Sequence, residues 1–283
     1  MIAEIGIDCL SIFGLPPVQF IELAADLGCS FITLGLPVSC NPENFSEYTY
    51  DDPLVRGNVK AALRHHGIRV KSAEGFFFLP EMDRRSYARK LDHMADIGSE
   101  TVNMVSIDKD LSRSLDHFAE LAEIAASYGM SSSVEFVAGT VIGTLADAEK
   151  VVRHVGRTDF TLVVDVMHLA RSGGDSDDLL EIDPSLIGYI QLCDCRRESA
   201  DPTYEARFER MPPGAGELPL AEILSALPLH RPIGLEIPQR SLAEAGIGPR
   251  ERLKQCVEAA KVLLTNIEAS SMVDSSFCRC AFP

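Results

Sequence analysis

The chain repeats one pattern from end to end, and this repeat restricts its fold more than any other feature. Short apolar runs rich in β-branched residues alternate with longer amphipathic stretches, several of which close at a glycine such as Gly28, Gly67 or Gly156. The runs predict eight strands, at residues 2–9, 31–36, 70–76, 101–107, 132–136, 160–166, 187–194 and 232–237. Some runs, such as LVVDV, are apolar at successive positions, which is typical of parallel strands buried on both faces.

Alternating strands and helices joined by right-handed crossovers form either a closed barrel or an open doubly wound sheet. The count of eight and the lack of a GxGxxG loop favour a single-domain (β/α)8 TIM barrel, and 283 residues suit a fold that needs about 250. We assign residues 1–267 to the barrel and expect the Ser-rich segment 268–283 to be disordered. Two longer connections, 37–52 and 195–216, follow strands, so we expect both over the barrel mouth, where active-site lids are found.

Composition limits the partners of the chain. The net charge of −16 repels phosphate backbones and anionic lipids, so we expect neither nucleic acid nor membrane as a partner. No apolar run reaches the ~18 residues of a membrane helix, and the start, MIAEIGID, lacks the features of an export signal. We therefore expect a cytoplasmic protein, compatible with a homo-oligomer. Its scattered cysteines, including the pairs 193/195 and 278/280, could bind a soft metal but fit reduced thiols better.

Polar residues stand at the ends of the last four predicted strands, each embedded in apolar neighbours. They are Glu135, Asp165, Gln191 and Glu236. The carboxyl ends of barrel strands meet at one face, which is where catalytic residues of such barrels lie. A buried carboxylate needs a partner, and few cations are at hand in this part of the sequence. One divalent cation shared by the four side chains would serve them all, and oxygen ligands suit Mg²⁺ or Mn²⁺ better than Zn²⁺.

These motifs resemble those of the xylose-isomerase-like superfamily of sugar phosphate isomerases and epimerases. The matching segments are VEF at Glu135, the DxxH of Asp165 and His168, the run IGYIQLCD, GLEIP at Glu236, and Arg210 just before PPGAGE. The resemblance implies that Glu135, Asp165, Gln191 and Glu236 hold one divalent cation. It also implies that His168 and Arg210 contact oxygens of the substrate. For Arg210, a surface ion pair with Glu209 or Glu217 is the alternative.

The sequence departs from the family pattern at strand seven, where H-x-H is usual. Tyr189 and Gln191 stand in those places, and a glutamine ligand resembles that of some 3-dehydroshikimate dehydratases. Strand three carries Lys71 and Glu74, for which the family pattern has no counterpart. Either residue could bind the substrate or transfer a proton at the mouth, or the two could form a salt bridge with each other.

The resemblance implies an isomerase or epimerase of a small polyhydroxy ketone or sugar. In that chemistry the cation polarises a carbonyl, and Glu135 and Glu236 remove and return a proton through an enediolate. A dehydratase, acting on 3-dehydroshikimate or an inosose, shares the first step and then expels a hydroxyl, so a lyase is the alternative. Endonuclease IV shares the barrel and the DxxH motif but needs a three-zinc cluster with several histidines, which the strand ends of this acidic chain lack.

Overall fold

Eight parallel strands close into one barrel in which each strand pairs with the next and β8 pairs with β1. The computed structural model describes residues 3–13, 15–36, 49–81 and 84–279. The strands are β1 (Ile5–Ile7), β2 (Phe31–Gly35), β3 (Arg69–Phe78), β4 (Ser99–Ser106), β5 (Ser131–Glu135), β6 (Phe160–Asp165), β7 (Ile187–Leu192) and β8 (Ile233–Leu235). The predicted (β/α)8 barrel is confirmed.

Helices connect the strands and cover the outside of the barrel. In the described residues they are α1 (Pro17–Asp26), α2 (Pro53–His66), α3 (Arg84–Ile97), α4 (Leu111–Ser127), α5 (Leu145–Val155), α6 (Val166–Arg171), α7 (Ser176–Glu181), α8 (Pro202–Phe208), α9 (Leu220–Ala226), α10 (Arg240–Glu244) and α11 (Pro249–Arg279). Gly67 and Gly156 end α2 and α5 with φ of 67° and 64°, a left-handed backbone that glycine adopts without strain. No helix of the described ranges is both long and apolar enough to cross a membrane.

The structure differs from the sequence prediction in its short and terminal elements. The short helices α6, α7, α8 and α10 were not predicted, because five to seven residues show too little periodicity. Helix α11 continues to Arg279, into the segment that we expected to be disordered, and no glycine or proline between residues 250 and 279 interrupts it. Most of the predicted lid at 37–52 lies outside the described residues, as do residues 280–283.

Apolar side chains of the strands and helices form one extended core around the barrel wall. A second, small cluster joins Phe31, Val163 and Tyr189. The carboxyl ends of the strands differ from this core, because buried polar and charged side chains collect there. They include Asp8, Glu74, Asn103, Glu135, Asp165, Gln191 and Glu236. The fold thus places its buried charge at one end of the barrel.

Candidate functional site

The four predicted ligands all lie at the carboxyl end of the barrel. Glu135 and Asp165 are the last residues of β5 and β6, and Glu236 directly follows β8. Gln191 in β7 pairs in register with Asp165. All four residues are buried, with at most 8% of their surface exposed. The strand ends therefore bring these four residues to a common, dehydrated region.

Asp165 uses its two carboxylate oxygens for different purposes. Oδ1 accepts hydrogen bonds from the backbone N–H groups of Met167 (2.8 Å) and His168 (3.1 Å), and so caps the N-terminus of α6. Oδ2 accepts from Nη1 of Arg210 at 2.6 Å. Burial acts to raise the pKa of Asp165, but the charge of Arg210 and the hydrogen bonds from Arg210 and from the His168 backbone outweigh it, and the pKa falls to about 2. Asp165 is therefore a carboxylate throughout the physiological range.

The cap on α6 explains why the sequence reads D-x-x-H. It places His168 in the first turn of the helix, with Nε2 at 4.0 Å from Oε1 of Glu135. One ligand atom each of Glu135, Asp165 and His168 lie within 4.8 Å of one another, so these three buried residues could hold a metal ion. We predicted His168 as a substrate contact and not as a ligand. Burial lowers the pKa of His168 to about 4, so its ring is neutral and has the form that binds metals.

Arg210 lies inside the site and is not a surface residue. Its side chain is 2% exposed, and Nη1 is 2.6 Å from Asp165 Oδ2 and 2.9 Å from Glu236 Oε2. Its Nε donates to the carbonyl of Ala206 at 2.8 Å, and its backbone N–H donates to Pro238 at 2.7 Å. The alternative of a surface ion pair with Glu209 or Glu217 is therefore wrong. The guanidinium group neutralises two of the predicted ligands, a contact that the sequence did not reveal.

The segment that carries Arg210 is fixed from both sides. Asp194 accepts backbone hydrogen bonds from Gly214 (2.9 Å), Gly216 (2.9 Å) and Leu218 (3.1 Å), which are the turn after Arg210. Met211 forms an antiparallel bridge with Asp194, and Glu209 forms one with Gln239. The site loop is therefore attached to the ends of both β7 and β8.

Two residues of the site were missed in the sequence. Asn103 of β4 donates from Nδ2 to Glu135 Oε2 at 2.5 Å and to Glu74 Oε2 at 3.0 Å. Asp8, just after β1, accepts a hydrogen bond on Oδ1 from the hydroxyl of Tyr189. Asn103 and Asp8 carry the same sequence signal as Glu135, a polar residue inside or just after an apolar strand. We considered that signal only in the last four strands and in strand three.

The two residues of strand three separate in the structure. Glu74 faces the site, where Asn103 binds it, whereas Lys71 lies near the amino end of β3 and pairs with Oε2 of Glu100 at 3.0 Å. For Lys71, the prediction of a substrate-binding or proton-transferring residue at the mouth is wrong. The alternative, a salt bridge between Lys71 and Glu74, is wrong as well. The physical reason is the strand itself, which begins at residue 69 and runs for 10 residues, so that residues 71 and 74 stand at different heights in the barrel.

The charge of the site is strongly unbalanced. Five buried carboxyl groups stand at the mouth, those of Asp8, Glu74, Glu135, Asp165 and Glu236. Within the described residues, Arg210 is the single arginine or lysine that forms an ion pair with any of them. Burial, with the charges of Asp165 and Glu74, raises the pKa of Glu135 to about 8. Burial also raises the pKa of Glu236, against the effect of Arg210. Such a donor set fits a divalent cation, which would stabilise the charged form of both glutamates.

Gln191 supplies a second observation that fits a cation. Its side chain is fully buried, and neither Oε1 nor Nε2 has a hydrogen-bond partner in the described part of the chain. A buried polar group left without a partner costs about 1–3 kcal/mol. A cation bound beside Asp165 would give the amide oxygen a partner. Burial raises the pKa of the Cys195 thiol to about 11 and holds that of Cys193 well above its usual value, so both are neutral thiols in the physiological range.

Known proteins share this architecture. The IolI protein, solved with a bound zinc atom, superposes with a TM-score of 0.78 at 18% identity, over 93% of this chain and 99% of that one. A D-allulose 3-epimerase from a Methylomonas species superposes with a TM-score of 0.67 at 17% identity, over 93% and 98% of the two chains. At such identities the likeness shows a common fold.

Sequence comparison adds a curated relative and a family. An inosose isomerase of Halalkalibacterium halodurans is 32% identical over 110 residues, which is 38% of this chain and 38% of the relative, so the match spans well under half of that enzyme. The family model of the xylose isomerase-like TIM barrel matches residues 21–264. That match covers most of the chain and includes all four predicted ligands. The chain therefore belongs to the xylose isomerase-like TIM barrel family.

Proposed function

We propose that the protein is a divalent-cation-dependent isomerase or epimerase of a small polyhydroxylated ketone or sugar. The observation that carries the proposal is the cluster of buried carboxyl groups around Glu135, Asp165 and His168. One arginine, Arg210, lies among them, and the fully buried Gln191 has no hydrogen-bond partner for its amide atoms in the described residues. The inosose isomerase and the sugar epimerases among the similar proteins support the same class of reaction.

The cation would be held by Glu135, Asp165, Gln191 and Glu236, with His168 as a further ligand in reach, and oxygen-rich ligands favour Mn²⁺ or Mg²⁺. When bound, it supplies a positive charge that polarises the substrate carbonyl and makes the neighbouring C–H acidic. The zinc atom of the IolI structure belongs to that protein. For this chain, metal identity is part of the proposal and is tested by loading the protein with each ion in turn.

Glu135 and Glu236 are the proposed proton carriers. Both carboxyl groups are buried at the mouth beside the proposed cation, where a carboxylate within reach of the substrate C–H can act as a general base. Asn103 holds Oε2 of Glu135, which leaves Oε1 toward His168 as the oxygen that accepts the proton. We propose that Glu236, in its protonated form, donates a different proton to the other face of the substrate, while Glu135 keeps the proton that it has removed.

His168 and Arg210 are proposed to bind substrate oxygens. The ring of His168 is neutral, and its buried Nδ1 lacks a hydrogen-bond partner in the described chain, so it can donate to or accept from a hydroxyl. Arg210 stands between Asp165 and Glu236, which places a fixed positive charge where an enediolate oxygen would develop. Glu74 is proposed as a further contact, reached through the Asn103 bridge.

The test is a screen of the Mn²⁺-loaded protein against ketoses, inososes and 3-dehydroshikimate in D₂O, followed by NMR. Exchange of the α-proton with retention of all hydroxyl groups supports the isomerase or epimerase. Loss of water supports the dehydratase, which Gln191 at the usual histidine position favours as the second candidate. Exchange by wild type should fall about 10²- to 10⁴-fold in Glu135→Gln, the usual effect of removing a general base.

A matched control is Glu100→Gln, which removes a carboxylate that pairs with Lys71 away from the site. It should exchange at the wild-type rate. Equal losses in both variants, or absence of exchange with every substrate class under metal loading, would contradict the proposed function.

A further inference from the structure

Gln191 has an orientation problem that a carboxylate or histidine ligand would not share. A glutamine side chain is an acceptor at Oε1 and a donor at Nε2, and only the oxygen can bind a cation. The side chain is fully buried and neither atom has a hydrogen-bond partner among the described residues, so no hydrogen bond of its own fixes which end of the amide faces the site. A group on the far side of the amide must make the choice.

Asp8 is that group. Its carboxyl group is buried at the end of β1, where Oδ1 accepts from the Tyr189 hydroxyl and Oδ2 has no hydrogen-bond partner in the described chain. Tyr189 and Gln191 are two residues apart on β7 and so point to the same face of the sheet. Gln191 pairs in register with Gly234, and Asp8 Oδ1 lies 2.3 Å from the position that a Cβ of Gly234 would occupy, so the Asp8 carboxyl group lies across β8 from the Gln191 position.

Gly234 makes this arrangement sterically feasible. Strand β8 lies between β7 and β1, and Gly234 pairs with Gln191 on one side and with Gly6 on the other. A Cβ at Gly234 would lie 1.8 Å from the Tyr189 hydroxyl and 2.3 Å from Asp8 Oδ1. The missing side chain therefore opens the path by which Tyr189 reaches across β8 to Asp8.

We propose that Asp8, held in place by Tyr189, is a positioning residue that attracts Nε2 of Gln191 and so aims Oε1 at the cation site formed by Asp165, Glu135 and Glu236. A carboxylate repels the amide oxygen and accepts from the amide nitrogen, so it favours one of the two flips. Groups that orient a metal ligand in this way commonly change metal affinity by 10- to 100-fold. The inference rests on the cation site of the proposed function.

The experiment is a double-mutant cycle on Mn²⁺ affinity, measured by calorimetric titration of the full-length protein. Asp8→Asn should weaken Mn²⁺ binding about 10- to 100-fold in the wild-type background. In the Gln191→Glu background the same substitution should cause no weakening, because a carboxylate presents an oxygen in either orientation. Removing Asp8 also relieves repulsion from the new carboxylate, so the affinity there should stay the same or rise.

Tyr189→Phe repeats the cycle without any change of charge. It releases Asp8 from its anchor and should weaken Mn²⁺ binding less than Asp8→Asn, with the loss again absent beside Gln191→Glu. The matched control is Tyr87→Phe, which removes a hydroxyl that donates to the carbonyl of Phe77, and should leave the Mn²⁺ dissociation constant unchanged.

The outcomes separate the two proposals. If wild type binds Mn²⁺ and Asp8→Asn weakens binding equally in both Gln191 backgrounds, or in neither, the orientation role is overturned and the cation site stands. If wild type binds no Mn²⁺, the cation site of the proposed function is overturned, and the role of Asp8 with it. Restored binding in the variants that combine Asp8→Asn or Tyr189→Phe with Gln191→Glu also shows that these barrels fold.

Discussion

At the scale of single residues, the site depends on side chains that contact two partners at once. Asp165 caps α6 with one oxygen and binds Arg210 with the other. Arg210 in turn bridges Asp165 and Glu236, and Asn103 bridges Glu135 and Glu74. Each of these residues therefore combines a structural contact with a contact to a proposed ligand. A substitution removes both contacts unless the new side chain is chosen to preserve one of them.

Asp165→Asn keeps the cap on α6 and removes the negative charge that faces Arg210 and the proposed cation. Asparagine caps helix N-termini about as well as aspartate, so α6 should remain folded, whereas the lost charge should abolish cation binding and lower activity by orders of magnitude. Metal content and the thermal midpoint of the purified variant check both effects. Asp175→Asn, at the capping box of α7, is the control and should keep metal and activity. Full activity of Asp165→Asn would place the site elsewhere.

Arg210→Ala should leave metal content unchanged while it raises KM, lowers kcat, or does both. Without a cation, the variant leaves two buried carboxylates unpaired, and breaking a buried pair in this way costs about 3–5 kcal/mol of stability. Urea unfolding with and without Mn²⁺ measures the cost, which the cation should reduce. Lys254→Ala, which breaks an exposed pair with Glu258, should cost at most about 1 kcal/mol. Reduced metal occupancy with normal kcat/KM per bound ion would contradict the role of Arg210.

The residues of the site were predictable to different degrees. Glu135, Asp165, Gln191 and Glu236 stood out because a polar side chain inside an apolar strand needs a partner, and their position at strand ends could be read from the sequence. Lys71 was misplaced because height along β3 depends on where the strand starts and on its register shift between Ala73 and Phe76. Arg210 contacts Asp165, 45 residues earlier in the chain, and Glu236, 26 residues later, and no local pattern encodes such pairings.

At the scale of elements, the junctions between strands and helices fix the site. The last residue of β6 is also the cap of α6, so the strand passes directly into a helix that carries His168. The eight strands and the long helices were predictable from periodicity, whereas α6 was not, since its six residues were assigned in part to the strand. Short helices owe their stability to caps and tertiary contacts, which a periodicity analysis does not detect.

The start of α4 offers a test of one such junction. Asp108, buried after β4, pairs with Arg113 and accepts the N–H of Asp110 at 3.0 Å, and the Arg113 hydrogen bond lowers the pKa of Asp108 to about 2. A lowered carboxyl pKa gives stability that is complete above the unfolded-state value near 3.8 and is lost as the pH falls through about 2. Asp108→Asn should therefore lower the urea midpoint by a constant amount from pH 8 to 5.

Below pH 4 the difference in urea midpoint between wild type and Asp108→Asn should narrow, because Asp108 of the unfolded chain takes up a proton there, while that of the folded chain stays charged down to about pH 2. A difference that stays the same down to pH 3 would contradict a role for the charge and assign the effect to backbone geometry alone. Asp183→Asn, at an exposed carboxylate that caps another turn, is the control and should lower the urea midpoint less than Asp108→Asn.

At the scale of the whole molecule, the proposed cation links strands from half of the barrel. Glu135, Asp165, Gln191 and Glu236 come from four consecutive strands, and Asp8 adds the first. A ligand that binds the folded chain alone stabilises it by mass action, by about 2.7 kcal/mol at a concentration 100 times its dissociation constant. Saturating Mn²⁺ should therefore raise the thermal midpoint of the wild type by several degrees, as followed by circular dichroism.

Asp165→Asn is the matched control for this measurement and should show no shift with Mn²⁺. Ca²⁺ and Zn²⁺ in parallel titrations rank the ions against the preference for Mn²⁺ or Mg²⁺. A midpoint that does not respond to any divalent ion in the wild type would contradict the cation site.

The pairing of β1 with β8 has a consequence for the synthesis of the protein. Asp8 emerges from the ribosome more than two hundred residues before Gly234 and Glu236, which complete its surroundings. A nascent chain that has not reached Glu236 can form most strands of the barrel wall, but β8 cannot yet pair with β1 and close the barrel. Binding of the proposed cation would therefore occur late in synthesis, only after β8 has been made and has closed the barrel against β1.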